Sequence, residues 1–178
     1  MRLVICLISL SALAAAQPAS SNPQLASAKG FYDLVKGNVL KAAEKMPEDK
    51  FAYKPSPDVR SFGQLVAHIA DAQYFMCGTA KEGGSTARDI EKSVTTKAGL
   101  IKALQEAYAF CDGTYAGLTD ASSAATTKFI GRDVTKLSVL SFNTAHTFEH
   151  YGNIVTYMRM NGLVPPSSEQ GPPAAGKK

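Results

Sequence analysis

The stretch that decides the fold is residues 135–162, TKLSVLSFNTAHTFEHYGNIVTYMRMNG. Its apolar residues return every three or four positions, as Ile154 and Met158 do, which is the period of a helix with one buried face. The Asn-Gly pair at its end is typical of a helix C-terminus, and the prolines at 165 and 166 exclude helix beyond it. We therefore predict one long final helix that begins near Thr135.

Three further segments have the same helical period. They run from Ser27 to about Lys45, from Ser61 to the glycines at 83 and 84, and from Ser93 or Thr95 to Leu118. The proline-rich stretch 47–60 and the small polar run 120–127 are predicted loops. No segment shows a convincing alternation of apolar and polar residues with the period of two that strands have. The expected fold class is all-α, a bundle of four helices.

Composition limits the chain to one domain without nucleic-acid binding. The chain has 178 residues, 45% of them apolar, which is enough for one sizeable core. The formal charge is +4, and its basic residues are scattered instead of forming a stripe. The sequence also lacks a nucleophile triad, a phosphate-binding glycine loop and a dinucleotide fingerprint, so it offers no chemistry of those kinds.

The N-terminal residues 1–16 are predicted to be a cleavable signal peptide. Arg2 precedes a run of apolar or small residues from 3 to 16, which ends in Ala14-Ala15-Ala16, the small-x-small form that signal peptidase accepts. A membrane anchor is the alternative, but the run is shorter than the roughly 20 residues that cross a bilayer. We expect a periplasmic or secreted protein with a folded domain over residues 17–166. The tail 167–178 is predicted to be disordered.

Export changes what the cysteines imply. Cys6 would leave with the signal peptide, so Cys77 and Cys111 would remain in a compartment where disulfides persist. Composition alone leaves two alternatives open, a disulfide between them or two separate buried thiols.

The three histidines of the chain carry its clearest chemical signal. His146 and His150 lie on the final helix about 40° apart around its axis, so both can coordinate a single ion. His68 lies at the edge of the apolar stripe of the second helix and can point into the bundle. By itself such a pair is a weak signal, because a half-buried polar pair has the same spacing and a lone histidine is often a core residue.

Three neutral imidazoles would leave open positions on a divalent ion, as in catalytic sites. Zn²⁺ is the default, but Ni²⁺, Fe²⁺ and Mn²⁺ also accept nitrogen ligands, so the identity of the metal is unknown. The catalytic residues are unknown too. Glu149 and Asp71 are the candidates for proton transfer or for contact with the ligands, although a carboxylate one turn away is usually a solvated neighbour. Asn153 shares the histidine face, and Tyr157 either lines the site or packs in the core.

A family resemblance extends over about residues 24–166. The sequence resembles the DinB/YfiT-like metalloenzymes, and the matching segments are residues 54–57, 60–71, 146–152 and 157–166. In that family one histidine from the second helix and an HxxxH pair from the fourth form a three-histidine metal site. The resemblance therefore implies that His68, His146 and His150 are the metal ligands.

The resemblance also implies an up-down-down-up order of the four helices. In that order the second and third helices run parallel, which would bring Cys77 and Cys111 to similar heights and allow a disulfide. An antiparallel hairpin would instead separate the two cysteines by roughly 20 Å or more, because a helix rises 1.5 Å per residue. The disulfide is thus a prediction that depends on the topology of the family.

The function implied by the resemblance is that of a metal-dependent hydrolase or a thiol transferase. Low-molecular-weight thiols are expected mainly in the cytoplasm, so export favours the hydrolase. The alternative is a non-catalytic metal-binding or stress-associated module. The expected partner is an unidentified small-molecule substrate, with no nucleic acid and no membrane after signal cleavage, and a homodimer is one assembly to consider.

Overall fold

A computed structural model describes residues 22–84 and 86–169 of the chain. The predicted signal peptide, residues 1–16, and residues 170–178 of the predicted tail lie outside the described residues. The elements in chain order are α1 (Pro23–Lys45), α2 (Phe62–Glu82), α3 (Ile90–Ser93), α4 (Lys97–Ala116), α5 (Asp120–Ser123), β1 (Thr126–Phe129), β2 (Arg132–Thr135) and α6 (Lys136–Met160). The four long helices α1, α2, α4 and α6 form a bundle, which confirms the predicted fold class.

Side-chain caps set the starts of three of the four long helices, α2, α4 and α6. Ser61 accepts a hydrogen bond from the backbone N–H of Gln64, and the Gln64 side chain accepts one from the backbone of Ser61. This reciprocal pair satisfies two N–H groups that a helix start otherwise leaves unpaired. The third long helix begins after Thr96, which caps Gly99, so its predicted start near residues 93–95 was slightly early.

The helices α2 and α4 run in the same direction. Gly63 in the first turn of α2 packs against Leu100 in the first turn of α4. Near the other ends of both helices, Cys77 is bonded to Cys111 with a Cα–Cα distance of 5.3 Å. The predicted disulfide is therefore confirmed. By loop-closure entropy, a bond that closes a loop of about 35 residues stabilises the fold by about 4 kcal/mol.

The other helix pairs complete the up-down-down-up order. Lys97 at the start of α4 donates to the backbone carbonyl directly after α1, at 2.6 Å, so these two helices are antiparallel. Along α2 and α6, His68 lies beside His150 and Gln73 hydrogen-bonds to Asn143, so residue numbers rise on one helix as they fall on the other. The topology that the resemblance implied is confirmed.

A small hairpin corrects the expectation that the chain has no strands. In the strands β1 and β2, Thr126 pairs with Thr135 and Phe129 with Arg132. The two turn residues, Ile130 and Gly131, have φ values of 49° and 73°, as in the tight turns that suit hairpins. The run 120–127, predicted as a loop, holds α5 and the start of β1. Strands of only four residues are too short to give a clear period.

The folded region continues past its predicted end at residue 166. Ser167 hydrogen-bonds to the Tyr151 hydroxyl, and Glu169 forms an ion pair with Lys45 at 2.7 Å. The first three residues of the predicted tail therefore pack on the bundle. Between residues 22 and 169, Ser85 aside, no helix has both the length and the apolar character that crossing a membrane requires.

Candidate metal centre

The antiparallel pair α2 and α6 brings the three histidines together. His68 Nε2 lies 3.3 Å from His146 Nε2, which lies 3.0 Å from His150 Nε2. One ring nitrogen from each residue falls within 4.8 Å of the others. The residues predicted as ligands thus share one site, although they lie on two helices and His68 is 78 residues from His146. That they bind a metal ion stays a prediction.

The distances between these nitrogens fit a single divalent ion. Imidazole nitrogens bind metals at about 2.1 Å, so nitrogens separated by 3.0 to 3.3 Å subtend about 90° to 105° at a shared ion. Angles in this range occur in octahedral and tetrahedral coordination. All three donors are nitrogens, a set suited to Zn²⁺, Ni²⁺ or Fe²⁺ and less to the harder cations. The three histidines could therefore hold one metal ion and leave some of its coordination positions open.

Burial keeps the three imidazoles neutral. It lowers the pKa of each below the ordinary value for histidine. The pKa of His146 falls to about 4, first because of burial and then because of the neighbouring charge of His150. The positive charge of Arg60 also lowers the pKa of His68. Near pH 7 each ring therefore keeps a nitrogen lone pair that a metal ion can use.

Glu91 is a site residue that the sequence did not reveal. Its Oε2 lies 3.5 Å from His68 Nδ1, and its Oε1 accepts a hydrogen bond from Arg60 Nε at 2.9 Å. Glu91 belongs to α3, a helix of four residues that lies between the second and third predicted helices. So short an element gives no helical period, so only the tertiary structure shows that Glu91 reaches the histidines.

The two carboxylates predicted as candidates lie outside the group of ligand atoms. Asp71 accepts hydrogen bonds from the backbone N–H groups of Ile90 and Glu91, at 2.9 and 3.0 Å, so it caps α3. Glu149 is exposed on α6. Its charge raises the pKa of His146, against the larger effect of burial.

A cavity of about 710 Å³ opens beside the histidines. His150, Arg60 and Glu91 line it together with Asn153 and Tyr157. The Tyr157 hydroxyl donates to the backbone carbonyl of Arg60 at 2.8 Å, so the tyrosine lines the cavity and also holds the loop before α2. A small molecule in this cavity would lie directly against the His150 side of the centre.

Comparison with known proteins supports the resemblance to the DinB/YfiT-like family. The uncharacterised protein YjoA of Bacillus subtilis is 29% identical over 123 residues, which is 67% of this chain and 79% of YjoA. Its crystal structure matches with a TM-score of 0.67 at 22% identity and covers 82% of this chain and 99% of that one.

Two further solved structures share the fold. YfiT from Bacillus subtilis, described as a probable metal-dependent hydrolase with an unusual four-helix bundle topology, has a TM-score of 0.63 at 17% identity, over 83% of this chain and 93% of YfiT. A mycothiol-dependent maleylpyruvate isomerase has a TM-score of 0.62 at 13% identity, over 73% of this chain and 60% of the isomerase. A model of the DinB superfamily matches residues 32–154, a span that contains all three histidines. The chain belongs to the DinB superfamily.

Proposed function

We propose that this protein is a metal-dependent hydrolase whose ion is held by His68, His146 and His150. The observation that carries the proposal is the convergence of three Nε2 atoms, at 3.0 and 3.3 Å, beside a cavity of about 710 Å³ that His150 lines. A structural metal site is closed by protein ligands, whereas three ligands beside an open cavity leave room for water and substrate. The similarity of fold to YfiT, a probable metal-dependent hydrolase, supports the same reaction class.

The role of each residue in the site follows from its position. The three imidazoles would bind the ion through Nε2 in their neutral form, and the helices α2 and α6 fix their spacing. A divalent ion bound there supplies an acidified water and a Lewis acid. Asn153 and Tyr157 line the volume that a substrate would fill, and the guanidinium of Arg60 lies at its edge, paired with Glu91. The metal identity we propose is any of Zn²⁺, Ni²⁺, Fe²⁺ or Mn²⁺.

A thiol transferase is the second candidate. The mycothiol-dependent maleylpyruvate isomerase has the same fold, and this chain spans 60% of its length. A thiolate is a good ligand for the softer of these metals, so a thiol cofactor could occupy an open position. Export would separate the protein from the cytoplasmic thiol pool, and we therefore rank this reaction below hydrolysis.

We also propose that the protein is exported to the periplasm or secreted. The sequence of residues 1–16 supports the proposal, as does the Cys77–Cys111 disulfide, because such bonds persist mainly in oxidising compartments. N-terminal sequencing of the protein from a periplasmic or culture-medium fraction tests it. A mature chain that begins at Gln17 is the expected result, and a cytoplasmic chain that keeps residues 1–16 would contradict it.

Metal analysis followed by a substrate screen tests the function. We expect about one divalent ion per chain, and turnover of an ester or amide substrate that stops on chelation and returns with the metal. Glu106→Gln changes an exposed carboxylate on α4, so as a control variant it should keep both the metal and the turnover. Turnover only with an added thiol would favour the transferase. Tight metal binding without turnover on any ester, amide or thiol-conjugation substrate would favour the non-catalytic module.

A further inference from the structure

His68 differs from the other two histidines in the surroundings of its second ring nitrogen. Its Nδ1 lies 3.5 Å from a carboxylate oxygen of Glu91, slightly farther than the about 2.7–3.2 Å of an ordinary N–H···O hydrogen bond. In the described part of the chain, Nδ1 of His146 and of His150 is buried without a partner. A histidine that binds a metal through Nε2 carries its proton on Nδ1, and a carboxylate beside that proton fixes the tautomer and the orientation of the ring.

The position of Glu91 is set by a dedicated cap. Asp71, one turn after His68 on α2, accepts from the backbone N–H groups of Ile90 and Glu91 with different carboxylate oxygens. These two bonds fix the first turn of α3, and the buried side chain of Ile90 anchors it. Asp89, just before α3, has a φ of 53°, a left-handed conformation that Asp adopts more readily than most non-glycine residues. The contacts of Asp71 and Ile90 therefore hold the turn.

Glu91 also governs the charge beside the centre. Arg60 lines the same cavity as His150, so its positive charge lies beside the site. Left without a counterion, that charge would repel a divalent cation. The carboxylate of Glu91 pairs with Arg60 Nε at 2.9 Å and offsets it.

We propose that Asp71 and Glu91 form a relay that positions His68 for metal binding. Asp71 fixes the turn of α3, and Glu91 on that turn orients the His68 ring so that Nε2 faces the other two histidines. Both are positioning residues, since neither joins the group of ligand atoms. The inference rests on the proposed metal site and adds to it the residues that set its affinity.

Zn²⁺ affinity, measured on the whole chain by chelator competition, is the first test. Glu91→Gln removes the charge at nearly constant shape and is expected to weaken binding by about 10- to 100-fold, as loss of a carboxylate behind a ligating histidine does. Asp71→Asn should weaken it too. The double variant should bind no more weakly than Glu91→Gln alone, because Asp71 acts through Glu91. Fully additive losses would overturn the relay. Glu106→Gln is the control and should bind like the wild type.

The double variant Arg60→Gln/Glu91→Gln separates orientation from charge. If Glu91 positions His68, this variant stays weakened, because His68 Nδ1 still lacks its carboxylate. Recovery of full affinity would show that Glu91 only offsets the charge of Arg60, and the positioning role would be wrong.

The ¹⁵N chemical shifts of the His68 ring give a readout that needs no metal. In the metal-free wild type we expect the proton on Nδ1, and in Glu91→Gln a mixture of both tautomers. The same tautomer in both proteins would overturn the inference, even if the affinities differed. Failure of the wild type to bind Zn²⁺, Ni²⁺, Fe²⁺ or Mn²⁺ would instead refute the proposed metal site, and the tautomer comparison would still decide whether Glu91 orients His68.

Discussion

Metal binding at pH 6 should release far fewer protons than three ordinary histidines would. With the usual pKa of 6.5, three imidazoles carry about 2.3 protons at pH 6, and all of them must leave before the metal binds. Here the pKa of His146 is about 4, so at pH 6 its ring is essentially unprotonated. The pKa values of His68 and His150 are lowered as well, so each holds less than its ordinary share of about 0.8 proton.

The expected release at pH 6 is therefore below about 1.5 protons per ion. Calorimetric titration with Zn²⁺ in two buffers that differ in ionisation enthalpy measures this number directly. A titration at pH 8 is the control, because imidazoles release almost nothing there, and any protons seen come from water on the ion. Water on the ion releases few protons at pH 6, because its pKa on zinc is about 7. A release of two or more protons at pH 6 would therefore refute the buried and neutral state that we assign to the cluster.

Three other predictions concern the ligands, the disulfide and acid stability. His146→Ala and His150→Ala should each abolish stoichiometric metal binding, and His68→Ala should weaken it by at least about 100-fold. Metal analysis and Zn²⁺ titration measure the binding, and circular dichroism checks that the variants keep their helical fold. Unchanged metal content in any of the three variants would contradict the site. Mass spectrometry of unreduced peptides should find Cys77 linked to Cys111. Reduction of the metal-free protein should lower its Tm by about 8–16 °C. Two free thiols, or a Tm that does not change on reduction, would count against the bond. The metal-free protein should lose stability as the pH falls from about 6.5 towards 4, because histidines bind protons in the unfolded chain at a higher pH than in the folded one. The loss should be smaller in His146→Ala. Thermal melts measure it, and an equal fall in Tm for the two proteins across that range would contradict the prediction.

The long helices and the histidine cluster were predictable because they depend on repeated or specific signals. Each long helix has 20 or more residues, enough for its apolar residues to show the helical period. The Cys77–Cys111 bond was predicted from the parallel order of the second and third helices, which the resemblance implied. The hairpin was missed because a four-residue strand has too few alternations to stand out.

The contacts of Asp71 and Glu91 could not be predicted from their positions in the sequence. Asp71 lies one turn from His68, which made it a candidate partner of the site, but its oxygens are occupied by the N–H groups of a segment 19 and 20 residues away. Glu91 has no helical period around it and no motif. Its place depends on the left-handed conformation of Asp89 and on a cap from another helix, neither of which sequence spacing encodes.

The parallel course of α2 and α4 also bears on how the protein folds. Because the chain must return along the bundle before α4 begins, and α6 comes last, the contact between His68 and His146 closes a span of 78 residues. Contacts between residues this far apart in sequence form late in folding, because closing so long a stretch of chain costs conformational entropy. An unfolded or half-folded chain holds at most the weak pair of histidines on α6, so the ion cannot nucleate the bundle. The protein should fold first and acquire its metal afterwards, and metal content then reports the fraction of molecules that have completed folding.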